Sequence, residues 1–235
     1  MYFKDFPATS YIFGSETDPV IAENISIYTD IIDDIKDDLD FYQFYDLYEE
    51  RPDQLSFKLY DDVAFYWTFF LMNDHIRRQG WPINDSELQT WIYSNFDETV
   101  ITTKDGLDGT FSVGDTIEGV SSGVTGVIIK RVEDLGQIFI HGPLDFTDGE
   151  LIQDPDGNTV TVASSVEEYN AVKHYLDADS EFADIDPAQG PGALLTPVTY
   201  YDYLVEENDK LRKIKVIKPG TINSVASTFR QAIRG

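Results

Sequence analysis

The spacing of apolar residues predicts a pair of short helices in the first third of the chain. Residues 51–60 and 62–72 carry apolar side chains every three to four positions, which is the period of a helix. Pro52 suits the first position of the first helix. Asp61 or Asp62 is then placed to cap the second helix. We therefore expect two helices joined by a tight turn.

Alternating side chains predict two strands. In residues 40–48 both faces carry aromatic side chains, so we expect a strand that is covered on both sides. In residues 211–217 apolar positions alternate with Lys213 and Lys215. Helical period and capping residues predict further helices that begin near Ser86, over residues 199–210, and over residues 221–233, which include Phe229.

The segment 62–72 is apolar all round, and a helix of that kind has to be buried on both faces. Two arrangements satisfy this requirement. Either one face packs on the core of the chain while the other packs on a partner protein, or a later segment of the same chain covers the second face. The sequence leaves both open.

Residues 107–165 differ in composition and contain an internal repeat. The pattern of Phe111–Ile117 returns 35 positions later as Phe146–Ile152, and each copy precedes a glycine turn and a valine-rich strand. We expect a small β-barrel or sandwich built from two similar hairpin units. Prolines and glycines predict an extended arm over residues 1–24 and a partly looped segment over residues 166–198.

Charge narrows the possible partners. The chain has 43 acidic and 17 basic residues, a net charge of −26, and such a field repels phosphate backbones, so we expect no nucleic-acid partner. The acidity either keeps the protein soluble or lets acidic faces dock on basic partners. The basic stretch 210–218 is either a solvated strand face or an edge that pairs with an acidic surface of this chain or of a partner.

The residue types that catalysis and metal binding require are absent or scattered. Cysteine is absent, which excludes disulfides and thiolate metal sites. His75, His141 and His174 are expected in a helix end, a strand and a helix, without metal-ligand spacing. Residues 154–157 resemble the opening of a calcium loop, but a hairpin turn explains them better. We expect no enzyme activity, no cofactor and no metal site.

Membrane insertion is not expected either. The longest apolar run is too short to span a bilayer. The start of the sequence lacks the basic and apolar regions of a secretory signal.

Two blocks of the sequence resemble the wedge subunit 53 family of contractile-tail bacteriophage baseplates. In residues 50–82 a Pro-x-x-Leu helix, a Leu-Tyr-Asp-Asp turn, an aromatic-Trp helix and an Asn-Asp end follow in the family's order. The second block is Glu207–Ile217. Because the blocks keep their order and lie far apart, a chance match of both is much less expected than a match of one.

The resemblance implies an α+β fold with a split LysM-like core in β-α-α-β order. It divides the chain into an extended N-terminal arm at 1–24, a LysM-like wedge domain at 25–106 and 166–235 that ends in a C-terminal helix, and an inserted small all-β domain, a barrel or sandwich, at 107–165.

The resemblance also implies a structural role. The chain would join neighbouring wedge subunits during baseplate assembly, in multiple copies of a sixfold baseplate, with other baseplate wedge and hub-proximal tail proteins of the same phage as partners. It would assemble in the host cytoplasm and reside in the virion tail. Aromatic and basic side chains are the interface candidates: Phe65, Tyr66, Trp67, Phe69, Phe70, Trp81, Lys213, Lys215 and Phe229.

Two alternatives to a wedge subunit remain. The first is a LysM-type module of a phage tail that binds peptidoglycan or another glycan. The second is a tail-associated lysozyme. It ranks last, because such an enzyme needs an apolar pocket that raises the pKa of one carboxyl, and the sequence indicates no such pocket around any of its many acidic residues.

Overall fold

The computed structural model describes residues 8–11, 20–23, 36–107 and 109–234. Contacts within the chain divide it into two compact units. We call residues 1–84 and 208–235, which come from both ends of the chain, the split unit. We call residues 85–207 the barrel unit.

The secondary structure is mixed, as the α+β expectation requires. The described strands are β1 (Ala8–Tyr11), β2 (Val20–Glu23), β3 (Tyr42–Asp46), β4 (Thr99–Thr103), β5 (Thr116–Gly119), β6 (Thr125–Val132), β7 (Gln137–Ile140), β8 (Leu151–Gln153), β9 (Thr159–Glu167), β10 (Val172–Leu176), β11 (Phe182–Ala183), β12 (Thr196–Thr199) and β13 (Lys213–Ile217). The α-helices are α1 (Pro52–Tyr60), α2 (Trp67–Met72), α3 (Asp74–Gln79), α4 (Asp85–Asn95), α5 (Tyr200–Lys210) and α6 (Ile222–Arg234). Short 3-10 helices lie at Val63–Phe65, Glu133–Leu135 and Glu168–Asn170.

The arm predicted over residues 1–24 is described only in part. Its two described segments, β1 and β2, pair as antiparallel strands. The rest of the predicted arm lies outside the described residues.

In the split unit, β3 and β13 form a two-stranded antiparallel sheet, and α1, α2 and α3 lie between them in sequence. Tyr42 pairs with Ile217 at one end and Asp46 with Lys213 at the other. Both strands fall inside the predicted intervals 40–48 and 211–217, so those two predictions are confirmed.

The helices between the strands follow the predicted caps, with one difference. Pro52 opens α1, and Asp61 ends it with a left-handed backbone. Asp62 caps the following turn, where its carboxylate accepts a hydrogen bond from the Ala64 amide at 2.8 Å. The predicted single helix over 62–72 is instead a 3-10 turn followed by α2. Aromatic and β-branched residues dominate this segment and have only moderate helix propensity, so packing decides its course.

Asn73, between α2 and α3, joins the helices to the sheet. Its side-chain amide donates to the carbonyl oxygens of Lys215 at 2.7 Å and Phe69 at 2.8 Å. Its side-chain oxygen accepts from the Lys215 amide at 2.7 Å. The carboxamide therefore pairs with β13 as a neighbouring strand would, although 142 positions separate the two residues. Asn73 is buried, so its carboxamide depends on these protein partners.

The C-terminal helix α6 completes the core of the split unit. Its apolar stripe of Ile222, Val225 and Phe229 is buried in one cluster with Trp67 and Ile217. The predicted helical spacing over 221–233 is therefore confirmed for these three positions. The side chain of Ile233 lies outside the described residues.

The barrel unit contains a closed antiparallel barrel with the strand order β4-β7-β6-β5-β8-β9. The predicted repeat is real, because Phe111 and Phe146 are both buried in the barrel core. The hairpins β5–β6 and β8–β9 are the two similar units, and β5 pairs with β8 where the copies meet.

The repeat has a physical cause in its turns. Each copy places an acidic residue where its carboxylate accepts the amide three residues earlier: Asp115 from Ser112 at 2.9 Å, and Glu150 from Thr147 at 2.6 Å. Glycine precedes the acid in both copies, with φ of 97° at Gly114 and 83° at Gly149. These angles favour a residue without Cβ, which explains the repeated Gly-Asp and Gly-Glu pairs.

The barrel extends beyond the predicted interval 107–165. It also takes in β4 and the end of β9, and β4 closes the barrel by pairing with β7 on one side and β9 on the other. A closed barrel leaves no edge strand, so the first strand has to come from before the repeat.

Residues 166–198 contain a sheet that the sequence did not reveal. β10 pairs with β11 and β12 to form three short strands. His174 lies in β10, so the expectation of a helix there is wrong. Ahead of α5, Thr199 and Asp202 form the predicted capping pair: the Thr199 hydroxyl and the Asp202 carboxylate lie 2.7 Å apart, and the Asp202 amide donates to that hydroxyl at 3.0 Å.

Replacing Asn73 with Ala tests the link between the helices and β13. We expect Asn73→Ala to lower the free energy of unfolding of the split unit by about 2–4 kcal/mol, because a buried amide and two carbonyls lose their partners. Urea unfolding followed by tryptophan fluorescence measures this, since two of the three tryptophans, Trp67 and Trp81, belong to that unit, and Trp91→Phe removes the signal of the barrel unit.

The matched control is Asn223→Ala, on the exposed side of α6. It should change stability by no more than about 0.5 kcal/mol. Equal effects of the two substitutions would show that Asn73 does not hold the unit together.

Candidate interaction surface

Most of the aromatic residues that were predicted to contact a partner protein are buried in the core of the split unit. The buried ones are Phe65, Trp67, Phe69 and Phe229, whereas Phe70 is half-buried and Tyr66 keeps partial exposure. The rings of Trp67 and Phe229 stack with a centroid distance of 5.0 Å. A later segment of the same chain therefore covers this face, which is the second of the two arrangements that the sequence left open.

Trp81 fastens the end of the helical segment to the loop that follows β3. Its indole nitrogen donates to the Glu50 carbonyl oxygen at 2.8 Å. Its ring packs on Phe69 and Phe70, with centroid distances of 5.9 and 5.7 Å. Through these contacts Trp81 stabilises the fold of its own chain.

Lysine side chains of the basic stretch 210–218 bond to other residues of this chain. The Lys215 ammonium donates to the Asp37 carboxylate and to the Lys36 carbonyl, both at 2.9 Å. Lys218 donates to the Leu39 carbonyl at 2.8 Å. Of the two predicted interface lysines, only Lys213 is exposed, and its ammonium lies 5.4 Å from the centroid of the Phe44 ring.

The register of the sheet explains which side chains stay exposed. Ile214 and Val216 point to the core from β13, so Lys213 and Lys215 share the opposite, outer face with their cross-strand partners Asp46 and Phe44. At its Tyr42 end the outer face is covered by the cluster that α6 forms with Trp67 and Ile217. It remains open at its other end.

We call this open end, with Phe44, Asp46, Tyr48 and Lys213, the sheet-face surface. Phe44 is 59% exposed and Tyr48 is 74% exposed. The expectation that residues 40–48 are covered on both sides is therefore wrong. One signal in the sequence was available, because the lysines of 211–217 pair with this face and lysine is rarely buried.

A hydrogen-bond network fixes the loop that carries Tyr48. The Glu50 carboxylate accepts from the Lys58 ammonium at 2.7 Å, from the Tyr45 hydroxyl at 3.0 Å and from the Tyr48 amide at 3.1 Å. Burial alone would raise the pKa of Glu50. The bonds from Lys58, Tyr48 and Tyr45 outweigh it and lower the pKa to about 2.

Two carboxylates of the barrel unit, those of Asp154 and Glu150, each accept several hydrogen bonds within its turns. Asp154 accepts from the amides of Asp156 and Asn158 at 3.0 and 2.8 Å, which confirms the predicted hairpin turn at 154–157. Glu150 accepts from Ser121 and Ser122 as well as from Thr147. Burial acts to raise the pKa of Asp154 and Glu150, but these bonds hold both values below the usual range. Such groups are poor proton donors near neutral pH.

The histidines do not assemble into a site. His75 lies in α3, His141 follows β7, and His174 lies in β10. Across residues 36–107 and 109–234 and the two short segments before them, no three His, Asp or Glu side chains are grouped to hold a metal ion. No helix in the described part of the chain is long and apolar enough to cross a membrane.

Acid should remove the contribution of Glu50 to stability. Because the folded-state pKa of Glu50 lies near 2 and the ordinary value is 4.5, its stabilising effect is complete above about pH 4.5 and is lost as the pH falls toward 2. We expect Glu50→Gln to cost roughly 1–2 kcal/mol at pH 7, and this difference from the unchanged chain to vanish near pH 2.

Urea titrations across this pH range measure the effect. Glu49→Gln, at the exposed neighbouring position, is the control and should show no such loss. A Glu50→Gln difference that stays constant down to pH 2 would contradict the assignment.

Comparison of the chain with models of known protein families finds no matching family, and comparison with curated proteins finds no matching relative.

Proposed function

We propose that this protein is a structural subunit of a phage-tail baseplate wedge, which joins neighbouring wedge subunits and carries out no catalysis. The observation that carries the proposal is the meeting of the two family-like blocks, 50–82 and 207–217. They resemble one family in sequence, and apart from Glu207 they belong to one unit, in which Asn73 bonds to Lys215. Blocks that matched by chance would have no reason to share a core.

The β3-α1-α2-β13 arrangement supports the finer proposal of a LysM-like core split by an insertion. The two strands pair antiparallel, as a β-α-α-β unit requires. Residues 85–207 form an insertion in this core, between α3 and β13 in sequence. Long insertions into loops cost little, because the entropy of loop closure grows only slowly with length.

In this proposal the sheet-face surface contacts the neighbouring wedge protein. Exposed aromatic side chains are the residue type that most often dominates the binding energy of interfaces. Phe44 supplies one of them on the open face, next to the charges of Asp46 and Lys213, and Tyr48 supplies another in the loop that follows β3. Opposite charges at the rim of such a face guide register and association rate more than they add affinity.

Phe65, Trp67, Phe69 and Phe229 then act indirectly. They form the core that holds the sheet in place, so a substitution such as Trp67→Ala disturbs assembly by damaging the fold.

Assembly tests the proposal. The chain is co-expressed with the other wedge subunits of its source phage, and size-exclusion chromatography with mass analysis shows whether it enters a defined complex. We expect entry for the unchanged chain. We expect Phe44→Ala with Tyr48→Ala to weaken association at least about tenfold while the variant stays folded, because both side chains are exposed.

The matched control is Phe182→Ala with Leu194→Ala, which removes two exposed apolar side chains from the barrel unit. It should assemble normally. If the unchanged chain stays alone while the other subunits assemble, the wedge function fails. If the Phe44 and Tyr48 variant assembles as well as the control, the surface is misassigned.

A further inference from the structure

A cavity of about 460 Å³ lies in the barrel unit, on the outer side of the barrel wall. Its floor is a row of three polar side chains on neighbouring strands: Ser164 of β9 pairs with Thr102 of β4, which pairs with Gln137 of β7. Side chains opposite one another on adjacent strands lie about 5 Å apart, so the row presents two hydroxyls and a carboxamide along one line. Its other walls come from β10 and residues 185–191. The volume falls in the range of small-molecule sites.

The polar row has unused hydrogen-bonding capacity. The Gln137 amide nitrogen donates to the Val172 carbonyl at 2.8 Å, which fixes the orientation of the carboxamide. Its side-chain oxygen is buried and has no hydrogen-bond partner among the described residues. A buried acceptor of this kind is costly unless a ligand or a water molecule donates to it.

Charge and chemistry restrict the ligand. Among the described residues that line the cavity, Lys104 is the only charged one, and it is exposed. A cationic ligand finds no carboxylate among these described lining residues, and the net charge of −26 opposes an anionic ligand. The rest of the lining joins hydroxyls and carboxamides to the apolar surfaces of Leu135, Val172 and Ile185. This combination fits a neutral ligand with hydroxyl donors on its edge and an apolar face.

The strands of the cavity also argue against an extended peptide. Addition of a peptide strand needs an open sheet edge. In this wall β4 is paired with β7 and β9, and β10 is paired with β11 and β12. Recognition therefore has to come from the side chains, as for a compact ligand.

We propose that this cavity binds a neutral pyranose sugar, with the side-chain oxygen of Gln137 accepting from a sugar hydroxyl and with Thr102 and Ser164 bonded to neighbouring hydroxyls. The phenol of Tyr175 is a further donor in the wall, where burial raises its pKa. The site is independent of the sheet-face surface, which belongs to the other unit.

The test is an NMR titration of the ¹⁵N-labelled full chain with D-glucose, D-galactose and N-acetyl-D-glucosamine. Concentrations up to about 100 mM saturate a site whose Kd is about 1 mM. We expect at least one sugar to give saturable shifts centred on Thr102, Ser164 and the side-chain amide of Gln137. Failure of all three sugars to do so, or shifts centred on the split unit, would overturn the proposal.

Three variants tie the binding to the cavity. Gln137→Met keeps the size of the side chain but removes the acceptor and should weaken binding at least about tenfold. Gln153→Met, at an exposed glutamine outside the cavity, is its matched control and should bind normally. Ser164→Ala should weaken binding by about fivefold through loss of one hydroxyl.

Ser164→Phe closes the cavity and separates this proposal from the wedge function. The variant should lose sugar binding and still enter the wedge complex, with its fold checked by the amide spectrum. Sugar binding that is unchanged in a folded Ser164→Phe variant would place the sugar elsewhere and refute the proposal.

Discussion

The split unit depends on the hydrogen bonds between Asn73 and Lys215. They tie the end of α2 to β13, across an excursion of the chain that builds the whole barrel unit. Strand β13 has β3 on one side, and the buried carboxamide takes the place of a strand at its other side. Without this side chain, the amide and carbonyl of the half-buried Lys215 would lose their partners, which takes away a large share of the free energy of unfolding of a small unit.

That constraint explains how the remaining side chains are distributed. With β13 fixed, its apolar residues face the helices, and α6 returns to cover Trp67 and the Tyr42 end of the sheet. The outer face next to Lys213 is left open. The split unit thus has a buried set of aromatic side chains, which maintains the fold, and exposed ones at Phe44, Tyr48, Phe57 and Tyr66. Of the exposed ones, we propose Phe44 and Tyr48 as the contacts with another protein.

Sequence reasoning worked where a local period or cap determines the structure. Pro52 and the Thr199–Asp202 pair mark helix starts, and the Gly-acid pairs of the repeat mark the barrel turns because each makes its bonds within a few residues. It failed where the partner is distant. The period of residues 62–72 reveals an apolar surface, but it does not say whether α6 or another protein covers it. The row of Ser164, Thr102 and Gln137 exists only because three separated strands come into register.

Hydrogen exchange at Asn73 and Lys215 tests the central claim most directly. The side-chain amide of Asn73 and the backbone amide of Lys215 can both be followed by NMR in the unmodified chain. Our expectation is that both exchange as slowly as the amides in the β3–β13 ladder, because all of them open only when the split unit unfolds. Exchange of the Asn73 amide at the rate of an exposed loop, while the ladder stays protected, would contradict it.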